Sequence, residues 1–218
     1  MYILVVEEAP CGTAFAITPF HILTAHHNLY DETQGITYST AAITKSVSKL
    51  GERFTIDSPI AVKLTSHDAS LDWAVLEVID RSQPLPDTLA LVNEADLDEE
   101  KSMAVVALHA PVRLFLNSEM RELRIRKSDP PSRVQQFDKH GMTVICDGGL
   151  HAGSSGCPYV LYPGGRVLAM HLGCLDPYLE TPRKKLKLRD GEGLSEVRAF
   201  AKEGLVVSRT AAITDLLK

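Results

Sequence analysis

An all-β protein built in two halves is what this sequence predicts, on three observations. Short runs of Val, Ile, Leu and Thr, bounded by Gly, Pro, Asn or Asp, recur along most of the chain, as strands do. Many such runs at regular spacing argue for barrels or a sandwich rather than a parallel sheet wrapped by helices. Around residues 80–100 the composition shifts: Pro84, Pro86 and the acidic cluster Glu94, Asp96, Asp98, Glu99 and Glu100 mark a linker between the halves.

In the first half the runs place strands near residues 2–6, 12–18, 20–24, 36–47, 60–65 and 73–79. In the second half they fall near 102–108, 112–116, 122–126, 133–137, 142–146, 158–162, 166–172 and 204–208. Pro163-Gly164-Gly165, between two apolar runs, reads as a tight hairpin turn. The one helix is last: Thr210 caps it, and Ala212, Ile213, Leu216 and Leu217 form a single apolar stripe. Residues 176–203, with Arg183, Lys184, Lys185, Lys187, Arg189 and glycines, read as an exposed insertion, either solvated or a docking surface.

A chain of 218 residues forms one large domain or two small ones, and its 44% apolar content suits a buried core. The net charge of −5 gives no general case for nucleic-acid binding. No apolar run approaches the roughly 20 residues that span a bilayer. Met1 to Val6 is strand-like, too short and without a basic start, so neither a signal peptide nor a propeptide is expected. Eight histidines are present, but no His-Glu-x-x-His, no Cys-x-x-Cys and no glycine-rich phosphate loop; no metal or cofactor is expected.

The chemistry concentrates in Gly153-Ser154-Ser155-Gly156-Cys157-Pro158, with a histidine and an aspartate upstream of it. The histidine is His26, in Leu23-Thr24-Ala25-His26-His27; the aspartate is Asp72, at the mouth of the apolar run Trp73 to Val78. A serine hydroxyl needs a neighbouring base to become a nucleophile, and the base needs a third group to hold its tautomer. His, then Asp, then Ser is the chain order of the chymotrypsin-type triad.

On these residues, with Gly12-Thr13-Ala14-Phe15-Ala16-Ile17 leading into the histidine, the chain resembles the trypsin-like (chymotrypsin-fold) serine endopeptidases. The likeness covers roughly residues 10–175, with a continuation at 204–217. It implies two six-stranded antiparallel β-barrels and a C-terminal α-helix. The barrels would occupy 1–80 and 101–218, joined by a linker at 81–100, with the insertion at 176–203 and the helix at 209–217. It further implies His26 as general base, Asp72 as its orienting partner, Ser155 as nucleophile, and the N–H groups of Gly153 and Ser155 as the oxyanion hole. His27 competes with His26, and the position directly after the small residue that ends the strand favours His26. Ser154 competes with Ser155, and Gly156 and Pro158 set the register for Ser155. Asp68 competes with Asp72, which abuts the apolar strand.

Several departures from the family pattern stand out. The residue before the nucleophile is Ser154, not the Asp that pairs with a newly cut N-terminus, so activation by N-terminal cleavage is not expected. Cys157 replaces the usual second Gly and reads as a small buried residue. Cys11 fits one end of a common bridge of secreted relatives, but His27 and Asn28 occupy the other, and His151 and its neighbours offer no second bridge. A pairing among Cys146, Cys157 and Cys174 stays open, and a cytoplasmic location is expected. The position that is acidic in trypsin is Gly149, so a preference for Arg or Lys is not supported. Val167 to Gly173 is similar to the strand of glutamyl endopeptidases and viral 3C-type proteases whose histidine selects Glu or Gln. That places His171, Gly149 and Gly173 at the substrate, although His171 reads equally well as a core histidine. The expected function is peptide-bond hydrolysis of a polypeptide substrate through an acyl-enzyme. The alternative is a protein-binding module with a latent protease site, regulated by a protein partner.

Overall fold

The computed structural model describes residues 1–97, 103–129, 131–138, 140–146, 150, 153–174 and 202–217. Two closed antiparallel barrels contain most of them. In the first, β1 (Tyr2–Val6), β2 (Ala9–Ala16), β3 (His21–Thr24), β4 (Thr40–Thr44), β5 (Ile60–Asp68) and β6 (Trp73–Val78) close in the order β1-β2-β3-β6-β5-β4. In the second, β7 (Ala104–His109), β8 (Ser132–Phe137), β9 (Thr143–Cys146), β10 (Pro158–Leu161), β11 (Val167–Cys174) and β12 (Lys202–Val206) repeat that order, and β7 pairs with β10 to complete the ring. A separate three-stranded sheet pairs Glu122–Arg124 with the hairpin Ser46–Leu50 and Arg53–Ile56.

The strands between the barrels explain why their sequences are continuous apolar runs. Side chains alternate across a strand, so a strand buried on both faces shows no polar positions. Along β6, Ala74, Leu76 and Val78 enter the core of the first barrel. Trp73 and Val75 point the other way and join Phe15, Ile17 and Leu23 against Val167, Met170, Leu172 and Leu205 of the second barrel. Burying one large apolar side chain contributes roughly 1.5–3 kcal/mol, so this shared layer holds the barrels as one unit. The linker reinforces it: Leu85 N–H and Leu89 N–H donate to Pro19 and Ala16 of the first barrel, and Val92 N–H to Val167 of the second.

Four sequence expectations change here. Residues 112–116 are not a strand but a short helix, Val112–Leu116, because Val112 and Phe115, three apart, are the pair that is buried. The 36–47 run is interrupted, giving Ile36–Thr37, Thr40–Thr44 and Ser46–Leu50. The last two residues of the expected 176–203 insertion, Lys202 and Glu203, belong to β12, while 175–201 lie outside the described residues. The terminal segment is α-helical only over Ala211–Thr214, flanked by 3-10 turns, and Thr210 does not cap it by its side chain: its hydroxyl donates to Val206 O. Ile213 alone of the expected stripe is fully buried.

Candidate active site

The chain leaves the extended conformation after β3 and enters a 3-10 turn at His26–Asn28. With three residues per turn, its successive side chains diverge by about 120° and reach three different places. His26 is buried: its Nε2 meets Thr37 Oγ1 at 3.2 Å, and its ring stacks on His67 with centroids 4.8 Å apart. Burial, and then the adjacent His67, push His26 below the ordinary histidine pKa. His27 turns to Asp72. Its Nδ1 lies 2.7 Å from Asp72 Oδ2, and its backbone N–H donates to Asp72 Oδ1 at 2.9 Å. Asn28 turns towards Ser155.

The expectation that His26 partners Asp72 is therefore corrected: the residue on Asp72 is His27. Strand geometry would place neighbours on opposite faces, but the strand has ended at Thr24, so the side chains follow the turn. Asp72 sits directly before β6 with φ +58°, a left-handed conformation that Asp tolerates better than most residues. Asp68 is occupied otherwise, accepting from Ser70 N, Ser70 Oγ and Leu71 N within its own turn.

Ser155 lies in the turn between Gly153 (φ +89°) and Gly156 (φ +81°). Gly156 is required there: a Cβ would stand 2.1 Å from Thr13 O, on a backbone that L side chains rarely adopt. The turn is stitched to the first barrel through the Ser155 carbonyl, which accepts from Thr13 N at 2.9 Å and from Asn28 Nδ2 at 3.0 Å. Ser155 Oγ donates to Leu172 O at 3.5 Å and, among the described residues, makes no hydrogen bond to His27. Catalytic hydrogen bonds are often long before substrate arrives. Ser154 is fully buried, with Oγ 2.9 Å from His109 Nδ1. Sequence reasoning missed Asn28, His109 and Thr13; only the position of Asn28, next to a histidine pair, offered any hint.

His171 is buried on β11, with Nδ1 2.8 Å from Tyr159 Oη. Its backbone pairs with the Ser155 turn on both sides: Gly156 N–H donates to His171 O, and His171 N–H to Cys157 O, each at 2.8 Å. The β11–β12 register shifts between His171 and Gly173, and the intervening Leu172 carbonyl receives Ser155 Oγ. Among the described residues, an added Cβ on Gly173 would meet nothing within 4 Å. Gly149 lies outside the described residues. Cys157 is buried as expected and its thiol is pushed well above the ordinary range by burial. Cys11 and Cys157 are free thiols. Among the described residues no three His, Cys, Asp or Glu side chains gather to hold a metal ion, and no helix is long and apolar enough to cross a membrane.

Two barrels of identical strand order, with a His–Asp pair on one and a serine turn on the other, define a trypsin-like serine protease fold. The sequence agrees: the trypsin-like peptidase domain family matches residues 12–170, well over half of the chain, and the chain belongs to it. Among curated proteins no sequence matches. Among solved structures it is similar to the Rv3671c protease from M. tuberculosis in its active form, at 17% identity and a TM-score of 0.57, covering 98% of this chain and 79% of that one. The inactive form of that protease matches at 15% identity and a TM-score of 0.56, covering 99% and 87%. Its serine-to-alanine variant, also inactive, matches at 15% identity and a TM-score of 0.58, covering 99% and 84%. At these identities the structural likeness speaks to the fold.

Proposed function

We propose that this chain is a serine endopeptidase working through an acyl-enzyme, with Ser155 as nucleophile, His27 as general base and Asp72 as the group that orients His27. The observation that carries the reading is the two-point hold of Asp72 on His27, through Nδ1 and the backbone N–H. A proton on Nδ1 held by a carboxylate leaves Nε2 as the basic nitrogen, the tautomer a general base needs. Ser155 Oγ then attacks the substrate carbonyl while its proton passes to His27 Nε2. The Gly153 and Ser155 N–H groups receive the oxyanion. The amine leaves with the proton from His27, and water repeats the sequence on the ester. No step calls for a cofactor. The free thiols of Cys11 and Cys157 support a reducing, cytoplasmic setting.

Fluorophosphonate labelling of the isolated chain tests this reading. Prompt, stoichiometric labelling of Ser155, with hydrolysis of peptide substrates, is the expected result. An unlabelled chain would point to a latent site that a protein partner must complete.

Asp72→Asn is expected to lower kcat by a factor on the order of 10⁴, the size of the corresponding change in the type triad. The amide cannot hold the imidazole in the same tautomer. Asp68→Asn is expected to cost far less, because the Asp68 carboxylate accepts from Ser70 and Leu71 in its own turn. Equal losses from the two variants would sink the assignment.

Substrate choice is read from His171. The Tyr159 hydroxyl orients its ring, and the strand that carries it runs under Ser155. With Gly149 in place of a counter-charge, P1 Glu or Gln is expected to be preferred over Arg. A site built to hydrogen-bond one polar group rejects analogues that lack it far better than an apolar slot sorts by size. His171→Ala should erase the preference and spare fluorophosphonate labelling. Cleavage dominated by P1 Arg, Lys or large apolar residues would assign His171 to the core alone.

A further inference from the structure

Asn28 stands directly after the residue that pairs with Asp72, yet its side chain serves the opposite half of the site. Its Nδ2 donates to the Ser155 carbonyl at 3.0 Å and to Thr24 Oγ1 at 3.1 Å, so both amide protons are placed. The Thr24 hydroxyl in turn donates to Thr13 O at 2.8 Å, and Thr13 N–H donates to the same Ser155 carbonyl. Asn28 is buried, and the chain makes room for it: a Cβ on Gly12 would come within 2.3 Å of Asn28 Nδ2.

We propose that Asn28 is a positioning residue, one that fixes the Ser155–Gly156 peptide and thereby aims the nucleophile relative to His27. That peptide is held at both ends. Thr13 N–H and Asn28 Nδ2 hold its carbonyl, and its own N–H, that of Gly156, is given to His171 O at 2.8 Å. Displacement of this anchored carbonyl would carry Ser155 Cα with it, and with Cα both the Ser155 Oγ and the Ser155 N–H, and so would degrade the attack geometry and the oxyanion site at once. Because Asn28 and His27 share one turn of 3-10 helix, the bond also ties the base and the nucleophile across the boundary between the barrels. The side chain that makes this tie is neutral and donates only hydrogen bonds, so it adds no charge beside the imidazole.

The proposal rests on Ser155 being the nucleophile, so wild-type labelling is the control that tests that reading separately. Asn28→Leu keeps the bulk and removes the donors; Asn28→Asp keeps the shape and places a carboxylate oxygen opposite the Ser155 carbonyl. Both are expected to slow Ser155 phosphonylation and kcat by about 10- to 100-fold, the scale of a small misplacement of a reacting group. KM should stay within about twofold, since substrate binding is not what is lost. The carbonyl ¹³C resonance of Ser155 should move upfield in both variants, a signature of the lost hydrogen bond that does not depend on turnover. Wild-type rates in a folded variant would overturn the proposal. So would a loss of rate that only tracks the folded fraction, an unmoved Ser155 resonance, or failure of both variants to fold, which would assign Asn28 to the core. A wild-type chain that no fluorophosphonate labels would instead point to the latent site, overturn the reading of the isolated chain as a competent enzyme, and take the positioning role with it.

Discussion

Ser155→Ala will remove turnover and fluorophosphonate labelling together, with kcat falling by a factor on the order of 10⁶, the scale for deleting the nucleophile of a Ser-His-Asp triad. The fold should not notice. Among the described residues Ser155 Oγ makes one long hydrogen bond, to Leu172 O, and the backbone bonds that seat the turn do not involve the side chain. Stability is therefore expected to change by no more than about 1 kcal/mol. Ser154→Ala should show the reverse pattern. It deletes a fully buried hydroxyl that bonds His109, so the melting temperature should fall while labelling of the folded fraction persists. Kinetics and melting curves on the two variants separate the roles. A folded Ser154→Ala chain that cannot be labelled, beside a Ser155→Ala chain that can, would move the nucleophile by one residue.

How far the sequence could be read depended on how local the deciding contacts are. Strands β2, β3 and β6 were legible because both of their faces are buried, which writes continuous apolar runs into the chain. The segment 112–116 was not, because Val112, Leu114 and Leu116 also alternate as a strand would, and only burial of Val112 with Phe115 reveals the helix. Asp72 was legible from its place at the head of β6. The roles of Asn28 and His109 were not, since their partners lie 127 and 45 residues away in the chain and only the closed fold brings them together. The choice between His26 and His27 turned on something subtler: where a strand ends decides whether the next side chain turns by 180° or by about 120°.

That choice makes the last prediction sharp. His27→Ala is expected to cost as much as Ser155→Ala, a factor on the order of 10⁶ in kcat, because nucleophile and base act as one unit. The double variant should be no worse than either single one. His26→Phe is the contrast. It keeps an aromatic ring in the stack against His67 and Tyr30 and gives up the contact to Thr37, so kcat should fall by less than about tenfold. His26 also carries its own argument against a catalytic role. Its Nε2, the nitrogen a base would present to serine, already faces Thr37 Oγ1, and the residue is buried. His27 is 28% exposed at the side chain, with Nδ1 committed to Asp72 and the other nitrogen left to do the chemistry. Rate constants for the two variants, measured on chains shown to be folded, decide between them. Should His26→Phe abolish labelling while His27→Ala retains it, the Asp72 pair would be structural and the base would have to be sought in the buried stack.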